Sequence, residues 1–231
     1  SENQDILRGL AVVASSHQAV VTNVASLAAS SSIAIMINPI TNVMSGSTRA
    51  YIDSAAIDTR LTSSTLKPQI EVAASSFSYS GAFGAGIAYG SSGGGGATII
   101  STTMSRETLA YITNATVGGV QSSSETVGAV TVKANAEQDA SSIAIGFHTG
   151  SVGLNVFQAT TEAYVDGGAL TAASLTVNAN NNTGIFSANG SGAYGSQAAI
   201  GAAFLVQVSS NRTLAYVGDE FRYQGNGAAH T

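Results

Sequence analysis

The sequence predicts an all-β solenoid, short parallel strands wound into stacked coils, and three observations predict it. A tyrosine phrase returns four times, an alternating valine phrase returns four times in step with it, and most of what lies between is small. The tyrosine phrase is Thr-x-Ala-Tyr-Ile/Val, beginning at Thr48, Thr108, Thr161 and Thr213, and it holds four of the eight tyrosines: Tyr51, Tyr111, Tyr164 and Tyr216. Such recurrence marks a repeating structural unit rather than a single site.

The valine phrase reads "LAVVASS" from Leu10, "IEVAASS" from Ile70, "VTVKANA" from Val130 and "LTVNANN" from Leu175. Its period-two alternation is that of a half-buried strand. Val12 to Tyr51, Val72 to Tyr111 and Val177 to Tyr216 each span 39 residues, whereas Val132 to Tyr164 spans 32. The step from tyrosine to the next valine is 21, 21 and then 13 residues. The chain therefore divides into repeats at about 10–69, 70–129, 130–174 (shortened) and 175–231 (incomplete), and 1–231 reads as one solenoid segment. The alignment carries Met44 onto Met104 and Tyr89-Gly90-Ser91 onto Tyr194-Gly195-Ser196, and "SSIAI" occurs at both Ser31 and Ser141. Missing residues in the third unit are expected in turns, where loop length is tolerated.

Within a unit the apolar patches "IEVAA", "GIAYG", "ATIIST", "LAYI" and "ATV" are separated by Gly, Ser or Asn, and read as short strands. Helix signals are weak, since β-branched and small residues dominate and neither Pro39 nor Pro68 opens a helical pattern. Residues 4–29 have some helical apolar spacing, but their register with the second unit assigns them to strands. A coil of roughly 20 residues gives about three coils per repeat, eleven in all, a rod of roughly 50 Å at the inter-strand spacing. In that geometry Ala and Ile/Val of the tyrosine phrase face in and Tyr faces out. The tyrosines, about three coils apart, are then too distant to stack and are expected to cap a turn or cover a groove.

Composition narrows the function. Only 9% of residues are charged, against roughly 25% in an average domain. Net charge is −5 and the eight Lys and Arg are scattered, so no basic stripe exists to neutralise phosphates, and nucleic acid is not an expected partner. Mean hydropathy is +0.22, yet the longest apolar stretch falls well short of the roughly 20 residues of a spanning helix. A membrane barrel would want aromatic girdles, and the chain has no Trp and only 6% aromatics. Membrane insertion of this segment is not expected. Absence of cysteine removes disulfides, thiol catalysis and thiolate metal sites. The opening "SENQDILRGL" has neither initiator Met nor a targeting pattern, and reads as the start of a fragment or processed piece.

No catalytic, cofactor or metal residues are nominated, and binding residues stay unassigned. His17, His148 and His230 stand alone, without metal-ligand spacing. Glu137 and Asp139 would share a strand face, with Asp53, Asp58, Asp166 and Asp219 isolated, where a lyase or glycosidase needs converging carboxylates. No G-x-S-x-G elbow occurs. "GSSGGGG" at Gly90–Gly96 lacks the Lys-Ser/Thr of a phosphate loop and reads as a turn, and no Asp follows it to suggest a calcium repeat. Sequons at Asn114, Asn181, Asn189 and Asn211 are expected by chance in so Asn-rich a chain; asparagines such as those of "NANNNTG" are expected to stack at turns.

The repeated "V-x-V-x-A … A-x-G-x-A-x-G … T-x-A-Y-I/V" pattern, from Leu10 to about Asp219, resembles the repeats of large bacterial exoproteins of the filamentous haemagglutinin and leukotoxin-family filamentous adhesin kind. The resemblance implies a right-handed parallel β-helix, secreted to the bacterial cell surface, that serves cell adhesion to a host, surface or bacterial receptor. The expected function is thus a non-catalytic structural and display segment of a secreted adhesin, attaching through turns such as "YGSSGGGGAT" and "NNNTGIF". Two alternatives are a solenoid subunit that self-associates end to end into an extracellular filament, and a β-helical polysaccharide-processing module.

Overall fold

The computed structural model describes residues 9–57, 67–118, 127–147, 150–193, 201–218, 222–225 and 228–230. They form an all-β, β-helix-like fold with no helix among the described residues. Ten strands follow in order: β1 (Gly9–Ser30), β2 (Ile33–Asp53), β3 (Ala56–Ile57), β4 (Gln69–Gly90), β5 (Gly93–Val117), β6 (Val127–Phe147), β7 (Gly150–Gly192), β8 (Ala202–Val217), β9 (Arg222–Gly225) and β10 (Ala228–His230).

The long strands make two facing parallel sheets. One runs β1-β4-β6 and the second half of β7; the other runs β2-β5, the first half of β7, and β8. Each layer holds one strand of each sheet, joined by an arch such as Ser31–Ser32, and then a corner leading to a short third side. The corner is the same column in successive layers: Ser54 and Asn114 at φ 50°, then Gly167 at φ 66°. Left-handed backbone of this kind suits Asn and Gly, which explains Asn114 and Gly167 there.

The positions aligned between repeats are the ones that pair. Gly9–Ser30 is a strand. Val12 pairs with Val72, Val72 with Val132 and Val132 with Val177, and Met44 pairs with Met104. The first shortening takes strand ends along with the arch, because the stretch it trims includes Ala88–Gly90 of β4 and Gly93–Gly96 of β5, so the expectation of a deletion confined to a turn is corrected there. Ile87 pairs with Phe147 and Ala97 with Gly150, so nine residues of the second layer match two in the third. Likewise Val117 pairs with Leu170 while Val127 pairs with Ala172. With this second shortening β7 runs unbroken for 43 residues through both sheets.

Three expectations are corrected. The neighbour of a residue lies a whole repeat away, 60 positions on between the first and second layers, not about 20. Each unit spends its residues on two strands of 21 to 25, so no further coils fit inside it. The glycines of "GAFGAGIAYG" looked like breaks, yet Gly84 and Gly86 sit on the inner face of β4, where a Cβ would collide with Thr98 and Met36. They are packing positions. The two "SSIAI" copies are also not equivalent: Ser31 and Ser32 form an arch, while Ser141–Ile145 lies mid-strand against Gly81–Ala85. The alignment of Tyr194-Gly195-Ser196 lies outside the described residues.

Between the sheets the interior is striped. Beside the corner lies the largest apolar cluster, including Ile52, Val72, Ile112, Val132 and Val165. Next come hydroxyl bridges from sheet to sheet, Ser16 to Thr48 at 2.7 Å and Ser76 to Thr108 at 2.6 Å. Arg106 is 4% exposed and reaches back into the first layer, its Nη1 donating to Gln18 Oε1 (2.8 Å) and its Nη2 to Ser16 Oγ (2.6 Å). The space it needs is left by Gly46, whose added Cβ would strike the guanidinium. Beyond lie Met44, Met104 and Phe157, then a column of amides, then Ile40 and Ile100. In the amide column Asn42 Nδ2 donates to Gly81 O (3.2 Å) and Asn155 Nδ2 to Ser187 Oγ (2.8 Å).

Candidate interaction surface

The layers stack in register, so the outer faces are columns in which one position is repeated at the strand spacing. The tyrosine phrase builds the clearest of them. Its alternate residues point in, with Ala50, Ile52, Ala110, Ile112, Ala163 and Val165 all buried. Tyr51, Tyr111, Tyr164 and Tyr216 point out, and their rings stack at centroid distances of 5.1, 4.9 and 5.0 Å with planes within 9°. The expectation that they are too distant to touch is therefore overturned. One repeat is one layer, and strand spacing brings successive rings into contact. Stacked pairs contribute about 0.5–1.5 kcal/mol each beyond area burial. Burial first, then the neighbouring Tyr111 and Tyr216, pushes the Tyr164 hydroxyl up to about 12; burial likewise raises Tyr216.

Charged groups flank the column in diagonal pairs. Arg49 Nε donates to Glu107 Oε2 at 3.2 Å and Ser47 Oγ donates to the same oxygen at 2.9 Å; the hydrogen bond from Arg49 holds the Glu107 carboxyl below its usual range. Arg212 and Glu162 approach to 3.3 Å. At the corner, Asp53 Oδ1 accepts from Thr113 Oγ1 at 2.8 Å. These exposed pairs fix side chains more than they stabilise the fold.

Toward the arch the same outer face turns apolar. Ile33, Ile35 and Ile37 are 63, 73 and 64% exposed along β2; two residues on, Pro39, Ile99, Val152 and Phe204 form one outer column across the layers, with Leu154 and Val206 beyond it, Phe204 and Val206 being 63 and 51% exposed. The sequence reading did not identify this surface. "IAIMI" is apolar at every position, so alternation could not say which residues face out; the structure buries Ala34 and Met36 and exposes the isoleucines. A contiguous exposed apolar patch of this kind marks an interaction surface.

The singled-out polar residues do not converge. Glu137 and Asp139 do share the outer face of β6, with Gln138 buried between them, while Asp53 and Asp166 stand at the corner of the other sheet. His17 stacks on Phe77 at 4.6 Å. Asp58, Asp219 and His148 lie outside the described residues, as does the side chain of His230. No group of three His, Asp or Glu suited to a metal occurs among the described residues. Of the sequons, Asn114 is at the corner. Asn189 and Asn211 bond inward, Asn189 Nδ2 to Phe204 O at 2.7 Å and Asn211 Nδ2 to Thr183 Oγ1 at 3.0 Å.

Both stretches expected as display turns are mostly strand. In "YGSSGGGGAT" only Ser91 and Ser92 form the bend, and "NNNTGIF" lies wholly within β7. The asparagines there form strand ladders, Asn180 Nδ2 donating to Asn135 Oδ1 at 3.0 Å, beside a shallow groove also lined by Lys133 and Asn178. Comparison with protein-family models, curated proteins and solved structures gives no match.

Proposed function

We propose that this segment is a non-catalytic structural and display element of a secreted bacterial adhesin, a right-handed parallel β-helix whose sheet faces attach to cells or surfaces. Parallel crossovers are right-handed in nearly all known cases, which supports the handedness. The observation that carries the attachment reading is the exposed apolar face formed by Ile33, Ile35, Ile37, Phe204 and Val206. In-register stacking supplies the rest: Pro39, Ile99, Val152 and Phe204 put an apolar residue at the same outer position of four successive layers, so a weak contact at one layer is repeated at the next, and repetition raises avidity. Adhesion through a flat face differs from adhesion through turns, and the test follows that difference. The purified chain and a variant carrying Ile35→Ser, Ile37→Ser, Phe204→Ser and Val206→Ser are compared for retention on intact cells and on alkyl-coated glass. Retention should drop several-fold in the variant and be unchanged by Glu137→Gln with Asp139→Asn. Equal retention of the parent and the serine variant would refute the reading.

A further inference from the structure

We propose that this chain adds to itself head to tail, the fourth layer of one copy pairing with the first layer of the next in the register used inside the chain. Three observations carry it. The first is backbone. Among the described residues β1 and β2 pair only with β4 and β5, while β8 and residues 174–192 pair only with β7 and β6. Each end therefore presents two long strand edges with donors and acceptors facing outward, and such edges template further strands.

The second is the inner columns. Leu205 continues the column of Ile40 and Ile100, and Val217 that of Ile52 and Ile112. Ile100 is 0% and Ile112 2% exposed, but Leu205 is 42% and Val217 48% exposed, β8 having only β7 as a partner among the described residues. Repeat arrays need such end surfaces capped. The first layer of a second copy would bring Ile40 over Leu205 and Ile52 over Val217, in the register that sets Ile40 on Ile100 and Ile52 on Ile112 within the chain.

The third is the tyrosine column. Among the described residues Tyr216 stacks on one aromatic ring, Tyr164, and Tyr51 likewise on Tyr111. Docking in register sets Tyr216 on Tyr51 and continues the stack. Arg49 and Arg212 keep their own partners, Glu107 and Glu162. On the short third side β10 already pairs with β9 in antiparallel sense, so the association rests on the two long edges. The two ends differ, so the contact is heterologous and does not close; its product is an open filament.

This inference stands apart from the attachment reading, which concerns the outer faces. The chain is followed by sedimentation velocity over a wide concentration series, and the products by fibre diffraction. Expected are species that lengthen with concentration, with the strand spacing of about 4.8 Å along the growth axis. Leu205→Lys should raise the concentration for half-assembly by more than about tenfold, because the ammonium must be desolvated under a second copy's Ile40. Phe204→Lys, one residue away on the outer face, should not. The Leu205→Lys chain keeps its first layer intact, so in small amounts it should terminate growth of the parent. Circular dichroism confirms folding, and Ala215→Pro on the same edge serves as a second variant if Leu205→Lys misfolds. A parent that stays monomeric throughout overturns the proposal. So does assembly blocked by Phe204→Lys but not by Leu205→Lys, which would mean packing through sheet faces.

Discussion

Val72 tests the layer register most directly. It is 0% exposed and sits in a column between Val12 below and Val132 above, within the apolar cluster at the corner. Val72→Ala removes two buried carbons, about 1.6 kcal/mol at roughly 0.8 kcal/mol per carbon. Incomplete relaxation around the cavity brings the expected loss to about 2–3 kcal/mol. Val12 occupies the same column in the first layer, where it is only partly buried. Val12→Ala should therefore cost roughly half as much, about 1 kcal/mol. Val72→Asp inserts a carboxylate with no partner and should cost about 4 kcal/mol or more. Stability is read from urea denaturation midpoints with circular dichroism, at a concentration where each chain is monomeric. A one-residue slip would turn Val72 to solvent. Val72→Asp within about 0.5 kcal/mol of the parent, or equal losses for Val12→Ala and Val72→Ala, would refute the register.

Gly46→Ala should cost about 1–2 kcal/mol, since the new methyl displaces the buried Arg106 guanidinium from Gln18 and Ser16; in the Arg106→Ala background the same change should cost less, giving a non-additive cycle in denaturation. Burial raises the Tyr164 hydroxyl from its ordinary value of 10.0 to about 12 in the folded chain. Its contribution is fully present below pH 10 and is lost as pH rises toward 12, so Tyr164→Phe should flatten the fall of melting temperature over that window. Replacing Glu137, Asp139 and Asp166 together by Ala should leave reducing-sugar release from polysaccharides at the background level of the parent. A parent activity abolished by those changes would establish an enzyme.

By itself the sequence determined the repeat, the equivalence of positions from one unit to the next and, where apolar and polar residues alternate, the direction of the side chains. That Val12, Val72, Val132 and Val177, or Tyr51, Tyr111, Tyr164 and Tyr216, occupy equivalent places was legible because each place in the repeat suits the same residue type, but not that these residues are direct neighbours. That the third unit is shortened was legible from the same offsets. What only the tertiary structure decided is how far a strand runs before it turns. Period-two alternation looks the same in a strand of five residues and one of 22, and glycine can mark either a turn or close packing. At Gly84 and Gly86 the deciding fact is the side chain from the opposite sheet, Thr98 or Met36, which local sequence does not contain. That one ambiguity changed the stacking period from 20 residues to 60 and brought the tyrosines into contact. The apolar outer face was hidden similarly. Where both alternating sets are apolar, as in Ile33–Ile37, only the position of the second sheet selects the set to be buried.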